Sequence, residues 1–412
     1  MQKIMIKNPL FLVFTLMTIP LSAQKFAGLA LTPPMGWNTW NKFGCDVNEE
    51  LIKSAADALV ESGMKDAGYQ YVVIDDCWQG QRDSLGFIHP DSKRFPSGMK
   101  ALADNIHSKG LKFGIYSDAG WKTCAGYPGS RGHEFQDAVQ YAAWGVDYLK
   151  YDWCYTDHLN ARGAYETMRN ALYAAGRPIV FSICEWGDNQ PWTWGRSVGH
   201  LWRISGDIAP VFDGAIKHTG WSSLGVLQII DMRQNIRQYA GPDHWNDPDM
   251  LQVGNGMSVN QDRAHFSMWC MLAAPLMAGN DLSTMTPETL EILTNVEAIA
   301  VDQDSLGVQA FKYVSKDSVD VWVKPLMHGD WAICFLNRDV EDKDIKFVWA
   351  DHHIIDDVAE REIRFSQSTF TVRDLWAKED VGTTETAFTG RLPGHDVFML
   401  RLSPLQEFQS IS

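Results

Sequence analysis

Two oppositely charged side chains interrupt an otherwise apolar run, "YLKYDWCY", at residues 148–155. The aromatic and aliphatic residues of this run suit a buried strand. Lys150 and Asp152 do not, because ionised groups are almost never buried without partners. They stand two residues apart, so on a strand they point to the same face. Two explanations remain open at this point: a buried Lys-Asp ion pair, or a pair of groups that face a ligand.

Similar polar endings recur along the chain. From about residue 30 to residue 290, short β-like runs alternate with helical patterns in eight units, which predicts a parallel (β/α)8 barrel. In that fold the chemistry lies at the carboxyl ends of the strands. The residues at the eight predicted ends are Trp37 and Trp40, Asp75 and Asp76, Tyr116 and Asp118, Lys150 and Asp152, Cys184, Glu185 and Trp186, Arg203 and Asp207, Asp247 and Asp249, and Asn280 and Asp281. Polar groups at one rim of the barrel favour a binding pocket over a simple ion pair.

Several carboxylates, two cations and many tryptophans suit a sugar ligand. Two carboxylates that flank a glycosidic bond are the minimum set for glycoside hydrolysis. Lys150 should keep Asp152 ionised. Charge alone therefore assigns Asp152 as the nucleophile and Asp207 as the acid/base.

A magnesium or calcium site formed by Asp75, Asp76 and Asp152 is the main rival chemistry. Lys150 and Arg203, predicted at the same rim, would repel a metal ion but would pair with carboxylates and donate to hydroxyl groups. The sequence contains no Ser-His-Asp set, no GxSxG motif and no glycine-rich phosphate loop after a strand. We therefore predict neither a metal nor a cofactor.

The two ends of the chain differ from its middle. Residues 1–23 combine a basic start, an apolar run too short to span a bilayer and a small-residue ending, which predicts a signal peptide cleaved after Ala23. We expect export to the periplasm or the exterior, without a stable membrane anchor. Near residue 306 the pattern changes to short alternating β runs, which predicts an antiparallel β-sandwich domain. The predicted domains are a barrel at 24–306 and a β-domain at 307–412.

The chain is acidic, with 36 basic and 51 acidic residues and a net charge of −15. Cleavage would remove Lys3 and Lys7 and no acidic residue, which lowers the charge to −17. This balance disfavours nucleic acid or anionic lipid as a partner and suits a neutral substrate.

Eight motifs together carry a resemblance to a known family. They are, in chain order, "LTPPMGWNTWNKFGC", "VVIDDCW", "GIYSDAG", "TCAGYPGS", "WGVDYLKYDWC", "SICEWG", "WRISGDI" and "WNDPDML". This set resembles the α-galactosidases of glycoside hydrolase family 27, from about Leu31 to Ser412. The resemblance implies a (β/α)8 barrel followed by an antiparallel β-domain, which is the architecture that the patterns predict independently.

The resemblance also implies an activity and roles for individual residues. The activity is hydrolysis of terminal α-D-galactosyl residues with retention, with Asp152 of the K-[YF]-D motif as nucleophile and Asp207 of W-R-x-x-x-D-I as acid/base. The implied substrate-binding residues are Trp40, Asp75, Asp76, Tyr116, Lys150, Cys184, Glu185, Trp186, Arg203 and Met250. We interpret Asp247 and Asp249 as structural supports of the rim. The implied substrate is an α-galactoside oligosaccharide or the side chain of a polysaccharide.

Relatives within this family act on other sugars. N-acetylgalactosaminidases open the 2-position with small residues, whereas Trp186 is bulky here. β-L-Arabinopyranosidases replace one of the paired acids by Glu, whereas Asp75 and Asp76 are both retained here. An α-galactoside is therefore the preferred substrate. A non-catalytic sugar-binding barrel is the hypothesis from another class, and it would be expected to lack Asp152 or Asp207.

The chain has seven cysteines, so in an exported protein at least one stays free. The resemblance implies the disulfides Cys45–Cys77 and Cys124–Cys154, and adjacent parallel strand ends would bring these positions close. The remaining three, Cys184, Cys270 and Cys334, are then predicted to be free thiols.

Overall fold

Eight short parallel strands form the centre of the larger domain. The computed structural model of the chain describes residues 25–232 and 234–405. The predicted signal peptide and its cleavage site lie outside the described residues. The strands are β1 (Met35–Asn38), β2 (Tyr71–Val73), β3 (Lys112–Asp118), β4 (Tyr148–Asp152), β5 (Val180–Ile183), β6 (Leu201–Arg203), β7 (Trp245–Asp247) and β8 (Leu276–Ala278).

The eight strands form a closed barrel. They pair in the order β7, β6, β5, β4, β3, β2, β1, β8, and every pairing is parallel. A parallel bridge between Leu251 and Ala278 joins the segment after β7 to β8 and completes the circle. Strand residues such as Val72 and Ile115 are fully buried, as expected for strands covered on both faces. The predicted (β/α)8 barrel is confirmed.

Helices connect most of the strands and cover the outside of the barrel. They are α1 (Glu49–Glu61), α2 (Gly98–Ser108), α3 (Glu134–Trp144), α4 (Ala161–Ala175), α5 (Val226–Asp231), α6 (Val259–Met271), α7 (Pro287–Leu293) and α8 (Val296–Asp302). Side chains cap several of them: Asn48 accepts from the amide of Leu51 in α1, and Ser258 forms a capping box with Gln261 in α6. Among the described helices, none is both long and apolar enough to cross a membrane.

The connection from β5 to β6 departs from the predicted strand–helix alternation. Within this described segment the chain forms only two short 3-10 turns, Pro191–Thr193 and Gly195–Ser197, instead of an α-helix. The segment carries Gly187, Pro191, Gly195 and Gly199, and both residue types disfavour a helix interior. The connection that contains Trp186, residues 184–200, is therefore irregular, and it runs from the end of β5 to the start of β6.

The strand register brings the polar endings together at one rim. Asp118 of β3 pairs with Asp152 of β4, and Tyr116 pairs with Lys150. On the other side, Lys150 pairs with Ser182 of β5. Carboxyl ends of parallel neighbours meet at the same edge, so these side chains share one end of the barrel.

The second domain is an antiparallel sandwich. Its strands are β9 (Phe311–Lys316), β10 (Val319–Pro325), β11 (Trp331–Asn337), β12 (Lys343–Phe347), β13 (His353–Asp356), β14 (Arg361–Arg364), β15 (Phe370–Asp374), β16 (Glu379–Thr383), β17 (Phe388–Leu392) and β18 (Val397–Pro404). Six of them form one sheet in the order β9, β10, β11, β18, β15, β16, and β12–β17 and β13–β14 form two small sheets. The barrel's last helix ends at Asp302 and the first of these strands begins at Phe311. The domain boundary at 306 stays a prediction within this interval.

Both faces of the six-stranded sheet are buried at its central strands β10 and β11. Alternate residues such as Val321 and Ile333 pack in a core with Phe347 of the small sheet. Residues on the opposite face, such as Trp322 and Cys334, belong to the same core as the barrel. The β-domain is therefore packed against the barrel through an apolar interface.

Candidate active site

Lys150 and Asp152 lie at the barrel end of β4, as predicted, but they are not each other's partners. Asp152 is 6% exposed, and its Oδ1 accepts from the amide of Trp153 at 3.0 Å. The Nζ of Lys150 donates instead to Oδ2 of Asp75 at 2.9 Å. The ion pair on this face thus joins β4 to the end of β2 and leaves Asp152 beside it.

Burial dominates the protonation of Asp152. It raises the pKa of this carboxyl group to about 7, and the charges of Asp207 and Asp75 also raise it, against the lowering effects of Lys150 and Arg203. The charge of Lys150 alone predicts an ionised Asp152. With a pKa of about 7, however, Asp152 is only partly ionised at neutral pH.

Asp75 and Asp76 are both buried and both held by hydrogen bonds. Besides Lys150, Asp75 Oδ2 accepts from Nδ2 of Asn38 at 2.8 Å, and its Oδ1 accepts from the amide of Asp76 at 2.9 Å. Asp76 accepts from the amides of Cys77 (2.7 Å) and Ala125 (2.8 Å). Burial raises the pKa of Asp76. The two carboxylates are fixed in place before any ligand arrives.

These bonds bear on the rival metal site. Every oxygen of Asp75 already accepts a hydrogen bond, and one of the donors is the ammonium group of Lys150. A divalent ion at Asp75 would have to displace that cation. Among the described residues, the one group of potential ligand atoms close enough for a metal ion is Asp118, Cys124 and Cys154. Both of these cysteines are in a disulfide, so they cannot act as thiolate ligands.

Arg203 connects the proposed acid/base to the rim. It is almost fully buried, and its Nη2 lies 3.1 Å from Asp207 Oδ1 and 2.9 Å from Asp249 Oδ2. Its Nη1 lies 3.7 Å from the Sγ of Cys184. Asp249 Oδ2 also accepts from the amide of Ile208 at 2.7 Å. Asp249 thus supports the segment that carries Asp207, which agrees with its interpretation as structural, whereas the side chain of Asp207 is 33% exposed.

Tyr116 and Met250 form part of the floor of the site. The hydroxyl of Tyr116 is buried and has no hydrogen-bond partner among the described residues. Lys150 Nζ lies 5.4 Å from the centre of the Tyr116 ring. Met250 lines a small cavity of about 20 Å³, together with Lys150 and Arg203. A cavity of this size holds one water molecule.

Glu185 and Trp186 lie at the start of the irregular connection after β5. Glu185 is fully buried, and its Oε2 accepts from the amide and the side chain of Asn189, at 2.5 and 2.7 Å. Burial raises the pKa of Glu185 to about 7. Trp186 has a φ of 59° and Gly187 follows at 80°, where a Cβ atom would lie 2.7 Å from the carbonyl of Ile204. The structure therefore places Glu185 as an anchor of this loop, in which Gly187, next to Trp186, lies close to the carbonyl of Ile204 just after β6.

Trp40 is the first residue of a single helical turn, Trp40–Phe43, that follows β1. Its amide donates to Oδ1 of Asn38 at 2.8 Å, and its partly buried ring packs against the same small core that contains Met250. The side chain of Asn38 thereby links the backbone of Trp40 to the carboxylate of Asp75.

Comparison with known proteins agrees with this geometry. A family model described as "Alpha galactosidase A" matches residues 32–304, and one described as "Alpha galactosidase C-terminal beta sandwich domain" matches residues 316–402. The chain belongs to the α-galactosidase family. The resemblance noted in the sequence is therefore confirmed, and this α-galactosidase family member is a glycoside hydrolase.

Individual relatives cover nearly the whole chain. "Alpha-galactosidase A" of Cellvibrio japonicus is 55% identical over 389 residues, which are 94% of this chain and 96% of the relative. The crystal structure of α-galactosidase I from Mortierella vinacea superposes with a TM-score of 0.85 at 38% identity, covering 92% of this chain and 99% of that one. An α-galactosidase from Saccharomyces cerevisiae, solved with raffinose, has a TM-score of 0.84 at 30% identity, covering 92% and 99% of the two chains.

Both predicted disulfides are present in this family member. Cys45 is bonded to Cys77 and Cys124 to Cys154, with Cα atoms 5.2 and 5.1 Å apart. The three remaining cysteines are free and buried, as predicted. The second disulfide joins the loop after β3 to the end of β4, so it fixes the loop whose Ala125 amide holds Asp76.

Two buried polar residues of this α-galactosidase site had no predicted role. Asn38 was missed, although it is a polar residue at the end of a buried strand. Asp118 was recognised only as a strand ending. It accepts from the amides of Gly120 (2.6 Å) and Cys154 (2.9 Å), and burial together with the charge of Asp152 raises its pKa to about 9. It joins the β3 and β4 loops directly beside Asp152.

Proposed function

We propose that the chain is a retaining exo-α-galactosidase, with Asp152 as the nucleophile and Asp207 as the acid/base. The observation that carries this proposal is the different placement of the two carboxylates. Asp152 is buried at the bottom of the rim and Asp207 is a third exposed at its edge. A nucleophile must lie under the anomeric carbon of a sugar that fills the pocket, whereas the acid must reach the oxygen that leaves toward solvent.

The proposed reaction has two steps. In the first, an oxygen of Asp152 attacks C1 while Asp207 gives its proton to the glycosidic oxygen, so that a galactosyl ester forms and the leaving alcohol departs. In the second, Asp207 takes a proton from water, the water oxygen attacks C1 and the ester to Asp152 breaks. This double displacement requires carboxyl groups about 5 to 5.5 Å apart, whereas inversion requires about 6.5 to 9.5 Å.

Two neighbouring cations favour the ionised form of Asp152 that this role requires. Asp152 must be ionised when it attacks, and burial works against its ionisation. Lys150 and Arg203 both lower its pKa and so oppose burial. Asp207 must carry a proton at the same moment. Because its Oδ1 accepts from Arg203, we assign that proton to Oδ2.

The remaining polar groups suit the hydroxyl groups of galactose. Asp75 and Asp76 would accept from the 4- and 6-hydroxyls, Lys150 would donate to the 3- and 4-hydroxyls, and Arg203 would donate to the 2-hydroxyl. The unpartnered hydroxyl of Tyr116 would face the 6-hydroxymethyl group. The residues proposed to wall the sugar or close its 2-position are Trp40, Cys184, Trp186 and Met250. Glu185 contributes through the loop that it anchors.

Two features favour the α-galactoside over the sugars of other relatives. An acetamido group at C2 needs space that Trp186 should fill. A hydroxymethyl group at C6 needs space that the short side chains of Asp75 and Asp76 leave. α-N-Acetylgalactosaminide and β-L-arabinopyranoside hydrolysis are therefore the alternative activities.

Hydrolysis of 4-nitrophenyl α-galactoside by the purified chain tests the activity. Asp152→Asn and Asp207→Asn should each remove nearly all of it, and proton NMR should show α-galactose as the first product. β-Galactose as the first product would rule out the double displacement. A wild-type chain that binds galactose without cleaving any of the three nitrophenyl substrates would instead be a non-catalytic sugar-binding barrel.

We also propose that the chain is exported and cleaved after Ala23. Two disulfides fit an oxidising compartment. Sequencing of the mature protein should give Gln24 as the first residue, and a retained leader would contradict the proposal.

A further inference from the structure

An exposed hairpin follows the proposed acid/base. Its strands, Ala215–Lys217 and Ser222–Leu224, pair antiparallel, and every residue from Ala215 to Ser222 is exposed. The tip of the hairpin therefore adds nothing to the barrel core. A two-stranded hairpin is marginally stable on its own. Folding alone does not explain why large apolar side chains stand here.

The base of the hairpin is attached to the backbone of the acid/base itself. The amide of Leu224 donates to the carbonyl of Asp207 at 2.8 Å, and the amide of Ala209 donates to the carbonyl of Leu224 at 2.8 Å. The base of the hairpin therefore lies directly beside Asp207, the residue proposed to protonate the leaving group.

Two aromatic rings form a flat surface at the tip of the hairpin. The rings of His218 and Trp221 stack with their centres 4.0 Å apart and their planes 20° apart. Nε2 of His218 lies 3.0 Å from Oγ of Ser223, which holds the imidazole ring in place. Trp221 remains 53% exposed although His218 covers one face of its ring. The indole thus offers its other face to solvent.

We propose that His218 and Trp221 form a leaving-group subsite that stacks against a sugar ring of an oligomeric or polymeric galactoside. This inference rests on the proposed function. The apolar C–H face of a neutral pyranose suits an exposed indole that is fixed by a stacked neighbour. The acidic chain, at −15, also suits an uncharged occupant.

The distance along the hairpin indicates a leaving group longer than one sugar. Trp221 stands three residues from Leu224, which is about 10 Å along a strand. A ring bonded directly to the scissile oxygen lies at the base of the hairpin, beside Asp207, and the next ring reaches toward the tip. We therefore assign the leaving group as at least a disaccharide.

Two other exposed aromatic residues, Trp121 and Phe135, do not combine these features. Trp121, on the loop after β3, is 55% exposed, but the guanidinium of Arg131 lies 4.2 Å from the centre of its ring. Phe135 is 53% exposed on helix α3, which covers the outside of the barrel. Phe135 is therefore a matched control for the removal of an exposed aromatic ring.

The test compares two substrates of the same enzyme: 4-nitrophenyl α-galactoside, and a mannopentaose with one α-galactosyl side group. Trp221→Ala should lower kcat/KM for the oligosaccharide by about 3- to 10-fold and leave the nitrophenyl substrate within about twofold. Trp221→Phe should keep most of the oligosaccharide activity, because a ring remains. Phe135→Ala should change neither value.

The outcomes separate the two proposals. If the wild-type chain cleaves neither substrate, the proposed function fails. If it cleaves both and Trp221→Ala changes nothing, or lowers both values equally, the subsite is wrong although the activity stands. His218→Ala provides a second variant in case Trp221→Ala does not reach the wild-type melting temperature, and it should show the same selective loss.

Discussion

Replacing Lys150 by Met should move the acid limb of the pH–activity profile to higher pH. Among the groups around Asp152, Lys150 is the largest influence that lowers its pKa, which stands at about 7 in the intact site. The nucleophile acts in its ionised form, so activity falls as the pH drops through this pKa. Without the ammonium group, the pKa of Asp152 rises, and activity is lost at a higher pH.

The size of this shift follows from the strand. Lys150 and Asp152 are two residues apart on β4, which places their backbones about 6.6 Å apart. At an effective dielectric constant of about 20, two unit charges at this distance interact by about 2.5 kcal/mol, or nearly two pKa units. The ammonium group leans toward Asp75, at 2.9 Å, so its distance from Asp152 is not set by the backbone alone. We expect an upward shift of about one unit.

The assay is kcat/KM for 4-nitrophenyl α-galactoside between about pH 4 and pH 9, because this ratio reports the ionisation of the free enzyme. Its absolute value should also fall, since Lys150 is proposed to bind the sugar. The position of the limb is therefore the informative measurement.

Lys150→Arg keeps the charge and should keep the limb where it is. Loss of one partner of a buried pair typically costs about 3 to 5 kcal/mol, so both variants should be checked by circular dichroism. A limb at the same pH in folded Lys150→Met would refute this account of Asp152.

Four further predictions concern the disulfides and the specificity of the pocket. Thiol titration in denaturant without reductant should count three free cysteines, whereas seven would refute both bridges. Replacing Cys124 and Cys154 by Ser should lower the free energy of unfolding by about 3.6 kcal/mol, because the unfolded chain then gains the entropy of an open loop with a sequence separation of 30. Urea denaturation measures this change, and an unchanged midpoint would contradict the prediction. Trp186→Ala should raise activity on the α-N-acetylgalactosaminide relative to the α-galactoside by about 10- to 200-fold, unless the wild type already cleaves both equally. Asp76→Glu should shift preference toward the β-L-arabinopyranoside, and an unchanged ratio of the two activities would show that this acid does not border C6.

The barrel could be predicted because its signals are local. Each β-like run is short, apolar and followed by polar residues, and such patterns depend only on near neighbours in the sequence. The exception is the connection from β5 to β6, where an α-helix was implied by the alternation. Pro191 and the surrounding glycines disfavour a helix in this connection. The prediction of eight regular strand–helix units did not take them into account.

The protonation of the site could not be predicted because it depends on residues far apart in the chain. Spacing correctly placed Lys150 and Asp152 on one face, yet the partner of Lys150 is 75 positions away, at Asp75. Burial of Asp152 and the charge of Asp207 come from the assembled rim, and they outweigh the lysine two residues away. A charge argument confined to one strand therefore omits the main determinants of the ionisation of Asp152.

The contacts of Asp75 and Asp76 explain why a substitution at Asp76, rather than at Asp75, is the better test of sugar specificity. The two residues are adjacent just after β2, yet they are held in different ways. Asp75 is bound by Lys150 and Asn38, so a longer side chain there would disturb the charges around Asp152. Asp76 is bound by backbone amides, one of them from Ala125 in the loop tied by the Cys124–Cys154 disulfide. Lengthening Asp76 changes the space beside that loop and leaves the Lys150–Asp75 pair in place, so a change in sugar preference can be attributed to size.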